Sequence, residues 1–189
     1  MSINIKNIAI HHTAVSRLSN SSQLKAVNNY HRNKWNMKST LGYYVGYNYF
    51  IDGNGDIYQT RVIGEETVAV KGHNCDIEKR CDTIHICLTG NFNHELPSDK
   101  QILALRKLLY QLNDKYPQSI NLFHKDLQKN RTCPGILFTK EYFRVRIMEE
   151  NRVDSGFDIE KAKQIQIQLD EARSLLAKLM LMIKRFYDK

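Results

Sequence analysis

Apolar residues fall along this chain in two periods, and the switches between them predict the elements. Ile3 to Ile10 (Ile-Asn-Ile-Lys-Asn-Ile-Ala-Ile) is apolar and β-branched and predicts a strand that delivers His11 at its C-terminal end. Ser19-Asn20-Ser21-Ser22 is a helix-start cluster, and Leu24, Val27 and Tyr30 follow at helical spacing, so 21–34 reads as a helix. Tyr43 to Ile51 is aromatic and β-branched, Asp52-Gly53-Asn54-Gly55 is a tight turn, and Asp56 to Arg61 returns as the second strand of a hairpin. Thr83 to Thr89 alternates with Ile84, Ile86 and Leu88 on one face. Ser98 and Gln101 form a capping box, and behind it Ile102, Leu105, Leu108, Leu109 and Leu112 make one helical stripe that ends near Tyr116-Pro117. A short strand from Ser119 to Phe123 feeds His124, and a helix runs from about Thr139 to Glu150. Strands alternating with helices in this way predict an α/β fold with a central mixed β-sheet flanked by helices.

The pattern changes after residue 150. Asn151 to Phe157 reads as a linker, and 158–189 as one long amphipathic C-terminal helix. Ile165, Leu169, Ala172, Leu176, Leu179, Ile183 and Phe186 step by 4, 3, 4, 3, 4 and 3, a heptad seam. Leu175, Met180, Leu181 and Met182 widen it until the helix is apolar nearly all round, so it must bury itself somewhere. Three destinations stay open: docking on the 1–150 domain, self-association, or contact with anionic membrane, for which Lys178, Lys184, Arg185 and Lys189 speak. Asp158, Glu160, Asp170, Glu171 and Asp188 dilute that basic face.

Composition bounds the rest. The chain has 189 residues, 42% hydrophobic and 25% charged, which suits one soluble domain with a core and an appended element. Met1-Ser2-Ile3-Asn4-Ile5-Lys6 lacks the basic start and long apolar stretch of a secretory signal, so the expectation is synthesis in the cytoplasm without a signal peptide. No run of about 18 uncharged apolar residues spans a bilayer. The net charge of +8 favours polyanionic partners, but no nucleic-acid motif accompanies it, and nucleic acid is not an expected partner.

The chemistry-bearing residues cluster in three stretches. His124 and Cys133 lie nine positions apart around a loop ending in Pro134-Gly135, short enough to bring an imidazole and a thiolate onto one metal ion. Zinc takes such a nitrogen and sulfur mixture, and a catalytic zinc keeps three protein ligands and one open position. The third ligand must come from elsewhere, and His11-His12 at the end of the first strand is on offer. In an extended chain neighbouring side chains point to opposite faces, so His12 reads as structural. Cys75 and Cys81 do not follow a zinc spacing and read as free thiols, with a disulfide formed after release second and a metal third; Cys87 reads as buried packing.

Ile10-His11-His12-Thr13-Ala14, then Val45-Gly46-Tyr47-Asn48-Tyr49-Phe50-Ile51, then His124 to Thr132-Cys133-Pro134-Gly135, in that order, resemble the zinc-dependent N-acetylmuramoyl-L-alanine amidases of the type 2 family. That family includes peptidoglycan recognition proteins and phage lysozyme-like amidases (endolysins). The resemblance covers residues 5 to 145. It implies one catalytic zinc ion on His11, His124 and Cys133, and hydrolysis of the amide joining the lactyl group of N-acetylmuramic acid to L-alanine by a zinc-activated water. Tyr47 matches the family's catalytic tyrosine, and its alternative is a half-buried sheet tyrosine. Arg131 stands where phage members carry a catalytic lysine; arginine keeps its charge, so it stabilises an oxyanion rather than exchanging a proton, or is a solvated loop charge. Thr132 is a second candidate donor to the substrate. His73, in Ala69-Val70-Lys71-Gly72-His73, matches a segment that lines the substrate groove. The family reads Ser-Ile-Gly-Ile where this chain reads Thr83-Ile84-His85-Ile86, and the imidazole reads as core packing or as a reshaped groove floor.

The resemblance also implies peptidoglycan as partner and a phage-type endolysin that reaches the cell wall of an infected host after release. Two rivals remain: a cytoplasmic amidase recycling soluble muropeptides, and a peptidoglycan-binding module without catalysis.

Overall fold

The computed structural model describes residues 4–17, 23–74 and 82–149, together with Gln168, Glu171, Ala172 and Leu175, which are helical and exposed. The chain divides into two compact units, Met1–Met148 and Glu149–Lys189. The heptad seam and the three destinations of the 158–189 helix lie, apart from those four residues, outside the described residues. So do Cys75 and Cys81.

The first unit is built on a five-stranded mixed sheet of order β3-β2-β4-β1-β5. Its strands are β1 (Asn7–His12), β2 (Tyr49–Ile51), β3 (Ile57–Gln59), β4 (Thr83–Leu88) and β5 (Ile120–Phe123). β1 runs parallel to both β4 and β5, β2 runs parallel to β4, and only the β2–β3 hairpin is antiparallel. Parallel strands are covered on both faces, which explains why β4 is buried at every position. Helix α1 (Gln23–Trp35) and helix α2 (Asp99–Lys115) supply the flanking apolar stripes. Ile8, Ile10, Ile84, Ile86 and Leu88 form one cluster with Ile102, Leu105, Leu108, Leu109 and Leu112 of α2. Alternation sends the intervening residues to the opposite face, where Phe50 and Cys87 join Val45 and are met by Leu24 and Val27 of α1. The sheet therefore has an aliphatic face under α2 and a face towards α1 that carries His11, His85 and Cys87.

The expected hairpin begins later than its sequence suggests. Tyr43 to Asn48 is not a strand, because Arg61 holds it as a loop. The Arg61 side chain is fully buried, and its Nε donates to the Val45 carbonyl at 2.6 Å and its Nη1 to the Glu66 carbonyl at 2.9 Å. Its Nη2 donates to the Met37 carbonyl. One guanidinium thus gathers three loop carbonyls and shapes the segment that carries Tyr47. Gly46 fits there because a Cβ would lie 2.4 Å from Val68 Cγ2.

Beyond β5 the chain departs from a simple loop. His124–Leu127 forms a helical turn, α3, with the Phe123 amide donating to Asp126 Oδ2 at 2.9 Å. Helix α4 (Lys140–Phe143) continues as a π-helical stretch, Arg144–Glu149, where one regular helix was expected. Among the described residues no helix is long and apolar enough to cross a membrane.

The capping box of α2 is present in full. Ser98 Oγ accepts from the Gln101 amide at 3.2 Å, and the Ser98 amide donates to Gln101 Oε1 at 3.1 Å. Gln101 Nε2 also donates to the Thr89 carbonyl at 2.7 Å, so the cap fastens α2 to the end of β4. Ser98→Ala is expected to lower the unfolding free energy by about 1 kcal/mol, read by urea denaturation.

Candidate metal centre at the strand ends

Open α/β sheets bind ligands beyond the carboxyl ends of their parallel strands. In this chain the register puts chemistry there. Ile10 pairs with Phe123 across β1 and β5, so the next residue of each strand, His11 and His124, stand side by side. Their ring centroids are 4.8 Å apart. Cys133 comes in from the segment after α3. The Lys125 amide donates to the Cys133 carbonyl at 3.0 Å, and the His12 amide donates to Cys133 Sγ at 3.5 Å. Gly135 completes this return: a Cβ there would lie 2.3 Å from the Phe92 backbone, and its φ of +128° suits glycine alone. Phe92 is in turn held by His12, whose Nδ1 accepts from the Phe92 amide at 3.0 Å. The two adjacent histidines thus face opposite sides: the His11 ring enters the cluster, and the His12 ring secures the segment behind it.

One ligand atom from each of His11, His124 and Cys133 lies within 4.8 Å of the others. Cys133 Sγ is 3.9 Å from His11 Nδ1. A tetrahedral zinc with ordinary bond lengths sets its nitrogen and sulfur ligands roughly 3.6 Å apart, so the donors need to close by only tenths of an ångström on that edge. His124 Nε2 donates to Gln128 Oε1 at 3.1 Å, since a carbonyl oxygen only accepts, which leaves Nδ1 with the lone pair. Donor type, spacing and free lone pair all fit a divalent metal of borderline softness.

The electrostatics follow from burial. His11 is held well below the usual histidine range, first by burial and then by the neighbouring rings of His85, His124 and His12. His124 is lowered by burial, and Arg131 adds to the effect. Both rings therefore stay neutral, the form a metal requires. Burial pushes the Cys133 thiol up to about 12, opposed by the His12 amide, Lys125 and Arg131. The Tyr47 phenol is pushed well above its ordinary value, mainly by burial and then by Cys87 and Cys133. It remains protonated at neutral pH and offers a hydrogen-bond donor.

The remaining sequence candidates distribute around this centre. The Tyr47 ring lies 5.1 Å from the His11 ring, and its hydroxyl shares a hydrogen bond with Cys87. Arg131 and Thr132 are exposed on the loop before Cys133. His73 is half-buried and contributes no metal-ligating atom to the cluster; its backbone carbonyl accepts from His85 Nε2 at 2.9 Å.

Two residues have no role in the sequence analysis. Gln128 stands four positions after His124, a helical spacing that becomes visible only if 124–127 is read as a turn of helix. His31 accepts from the Gly46 amide at 2.9 Å and lies 5.7 Å from the Tyr47 ring; nothing in its sequence context marks it. The expectation that His85 is core packing holds. It is fully buried, and its Nδ1 is 3.1 Å from His11 Nε2.

His31 is lowered from 6.5 to about 4, chiefly by burial and then by Lys34 and Arg61. A depressed histidine means that the unfolded chain binds more protons than the folded one between those values. Its stabilising contribution is complete above pH 6.5 and is lost as pH falls through the window towards 4. Stability measured by urea denaturation of the chelated protein is expected to fall across that range. His31→Asn, which keeps an acceptor and removes one titration, should make the slope shallower.

Comparison with known proteins agrees with this geometry. The family described as N-acetylmuramoyl-L-alanine amidase (Amidase_2) matches residues 1–136. Peptidoglycan-recognition protein 2 of Holotrichia diomphalia is 30% identical over 109 residues, 56% of this chain. The match spans only 52% of that relative's length. The endolysin N-acetylmuramoyl-L-alanine amidase LysCS of Clostridium intestinale superposes with a TM-score of 0.60 at 26% identity, covering 76% of this chain and 84% of the other. Drosophila peptidoglycan recognition protein SD shares the fold, with a TM-score of 0.60 at 20% identity over 76% of this chain and 82% of its own. A match over residues 1–136 that includes the strand ends, the histidine pair and Cys133 makes this chain a member of the N-acetylmuramoyl-L-alanine amidase family.

Proposed function

We propose that this chain is a zinc-dependent peptidoglycan amidase that cleaves the bond between the lactyl group of N-acetylmuramic acid and L-alanine, acting as a phage-type endolysin. The observation that carries the reading is the convergence of one thiol and two neutral imidazoles at the ends of β1 and β5, in a chain of the amidase family.

His11, His124 and Cys133 would hold the zinc. When bound, zinc polarises the scissile carbonyl and lowers the pKa of a coordinated water to about 7. Tyr47, kept protonated by burial, donates a hydrogen bond to the carbonyl oxygen as negative charge develops there. Arg131 holds its charge at the mouth of the site and stabilises the same oxygen, without the proton exchange that a lysine would allow. Thr132 and His73 contribute contacts to the substrate. His124 and Cys133 are only partly buried, so the centre opens to a polymeric substrate while His11 is anchored in the sheet. The endolysin role is supported by the likeness to the Clostridium intestinale endolysin and by the basic charge, which suits an acidic wall polymer.

Incubation with purified sacculi, with chelator and with zinc restored, tests the activity. New L-alanine amino termini that depend on zinc support it; sacculus binding without new termini would make the chain a binding module. Faster release from soluble muropeptides than from sacculi would favour the recycling role.

Cys133→Ala and His124→Ala are expected to lose zinc and activity together, read by metal analysis and amino-terminus release. Full zinc occupancy in Cys133→Ala would overturn the ligand set. Tyr47→Phe should keep its zinc and slow hydrolysis by about 100-fold, the usual cost of one oxyanion donor.

A further inference from the structure

His85 stands in the middle of β4, a strand buried at every position. β4 pairs with β1 so that His85 lies opposite Ala9 and Cys87 opposite His11. That register puts the His85 ring on the same face as His11, one pleat back from the strand end. Its two nitrogens are both engaged: Nε2 lies 2.9 Å from the His73 carbonyl oxygen and Nδ1 lies 3.1 Å from His11 Nε2.

We propose that His85 is a positioning residue for the metal centre, linking the His73 carbonyl to His11 so that His11 presents Nδ1 to Cys133 and His124. The consequence for metal binding rests on the zinc reading above; the hydrogen-bond order does not.

A carbonyl oxygen only accepts, so the proton between His73 and His85 sits on His85 Nε2. A neutral imidazole carries one N–H, so His85 Nδ1 is an acceptor. The proton in the next bond must then sit on His11 Nε2, which leaves the His11 Nδ1 lone pair facing Cys133 Sγ, 3.9 Å away. The opposite His11 tautomer would set two lone pairs against each other at 3.1 Å and turn an N–H towards the ligand position. The chain of bonds has a firm origin. Asn74 Oδ1 accepts from the Ala69 and Val70 amides, both at 2.7 Å, and the His73 amide donates to the Val70 carbonyl at 3.0 Å. These bonds hold 69–74 in a closed turn with its His73 carbonyl facing the sheet. The other two donors each have an outer hydrogen bond as well, Gln128 for His124 and the His12 amide for Cys133. His85 completes the set, and it ties the ligand nearest the sheet to the segment expected to border the substrate.

Removing an outer partner of a metal-bound histidine weakens metal binding by about 10–100-fold. Zinc affinity of the full chain, measured by competition with a chromophoric chelator, is expected to fall by that factor in His85→Leu, which fills the space and cannot accept. His85→Asn, whose Oδ1 falls near the place of Nδ1, should recover most of the loss. His85→Leu binding zinc as tightly as the unaltered chain would overturn the proposal and leave the zinc reading intact. An unaltered chain that binds no zinc would overturn both. Long-range proton–nitrogen NMR correlations on the metal-free protein read the tautomers directly and need no variant, so they decide the matter if His85→Leu does not fold. Protons on Nε2 of both His11 and His85 are expected; a proton on Nδ1 of either ring overturns the order of bonds.

Discussion

The parallel register of β1 against β4 and β5 is the constraint on which the site depends. It makes His11 and His124 neighbours, and it turns His11 and His85 to one face. The force that sets it comes from the other face. Ile8, Ile10, Ile84 and Ile86 are fully buried under α2, each favouring that position by roughly 1.5–3 kcal/mol over exposure. A slip of one residue would carry those four side chains to the histidine side and the histidines into the aliphatic core. Aliphatic packing on one face thereby holds the polar chemistry of the other to a single arrangement.

The polar face in turn is satisfied chiefly by backbone groups. Buried imidazoles and a buried thiol need partners, and among the described residues no carboxylate joins the cluster. The His12 amide serves Cys133, the His73 carbonyl serves His85 and the Gly46 amide serves His31 instead. Burial keeps the His11 and His124 rings neutral, so their Nδ1 lone pairs stay available to a cation. Tyr47 sits within the same arrangement through Cys87, and its loop is shaped by Arg61.

Period and turn chemistry made much of this legible in the sequence. The alternation of Ile84, Ile86 and Leu88 separates the faces of β4 as expected, and Ser98 with Gln101 starts α2 where the capping pattern puts it. His11, His124 and Cys133 were readable because their residue types are few and their contexts distinctive. What was not legible depends on contacts distant in sequence. His85 gains its meaning from a strand 74 positions away. The loop over 43–48 was hidden because Arg61 forms it, while the aromatic residues of that stretch carry a strand-like pattern. The turn at 124–127 was obscured by the reading of His124 to Cys133 as plain loop.

Cys133 and His11 meet although they are 122 positions apart. A metal held between them would act as a staple from the first strand to the segment that follows α3. Closing a loop of roughly a hundred residues removes about 4–5 kcal/mol of chain entropy from the unfolded state in the simple polymer estimate. The metal would then be a structural fastener as well as a reagent, and a chelator would loosen the whole sheet.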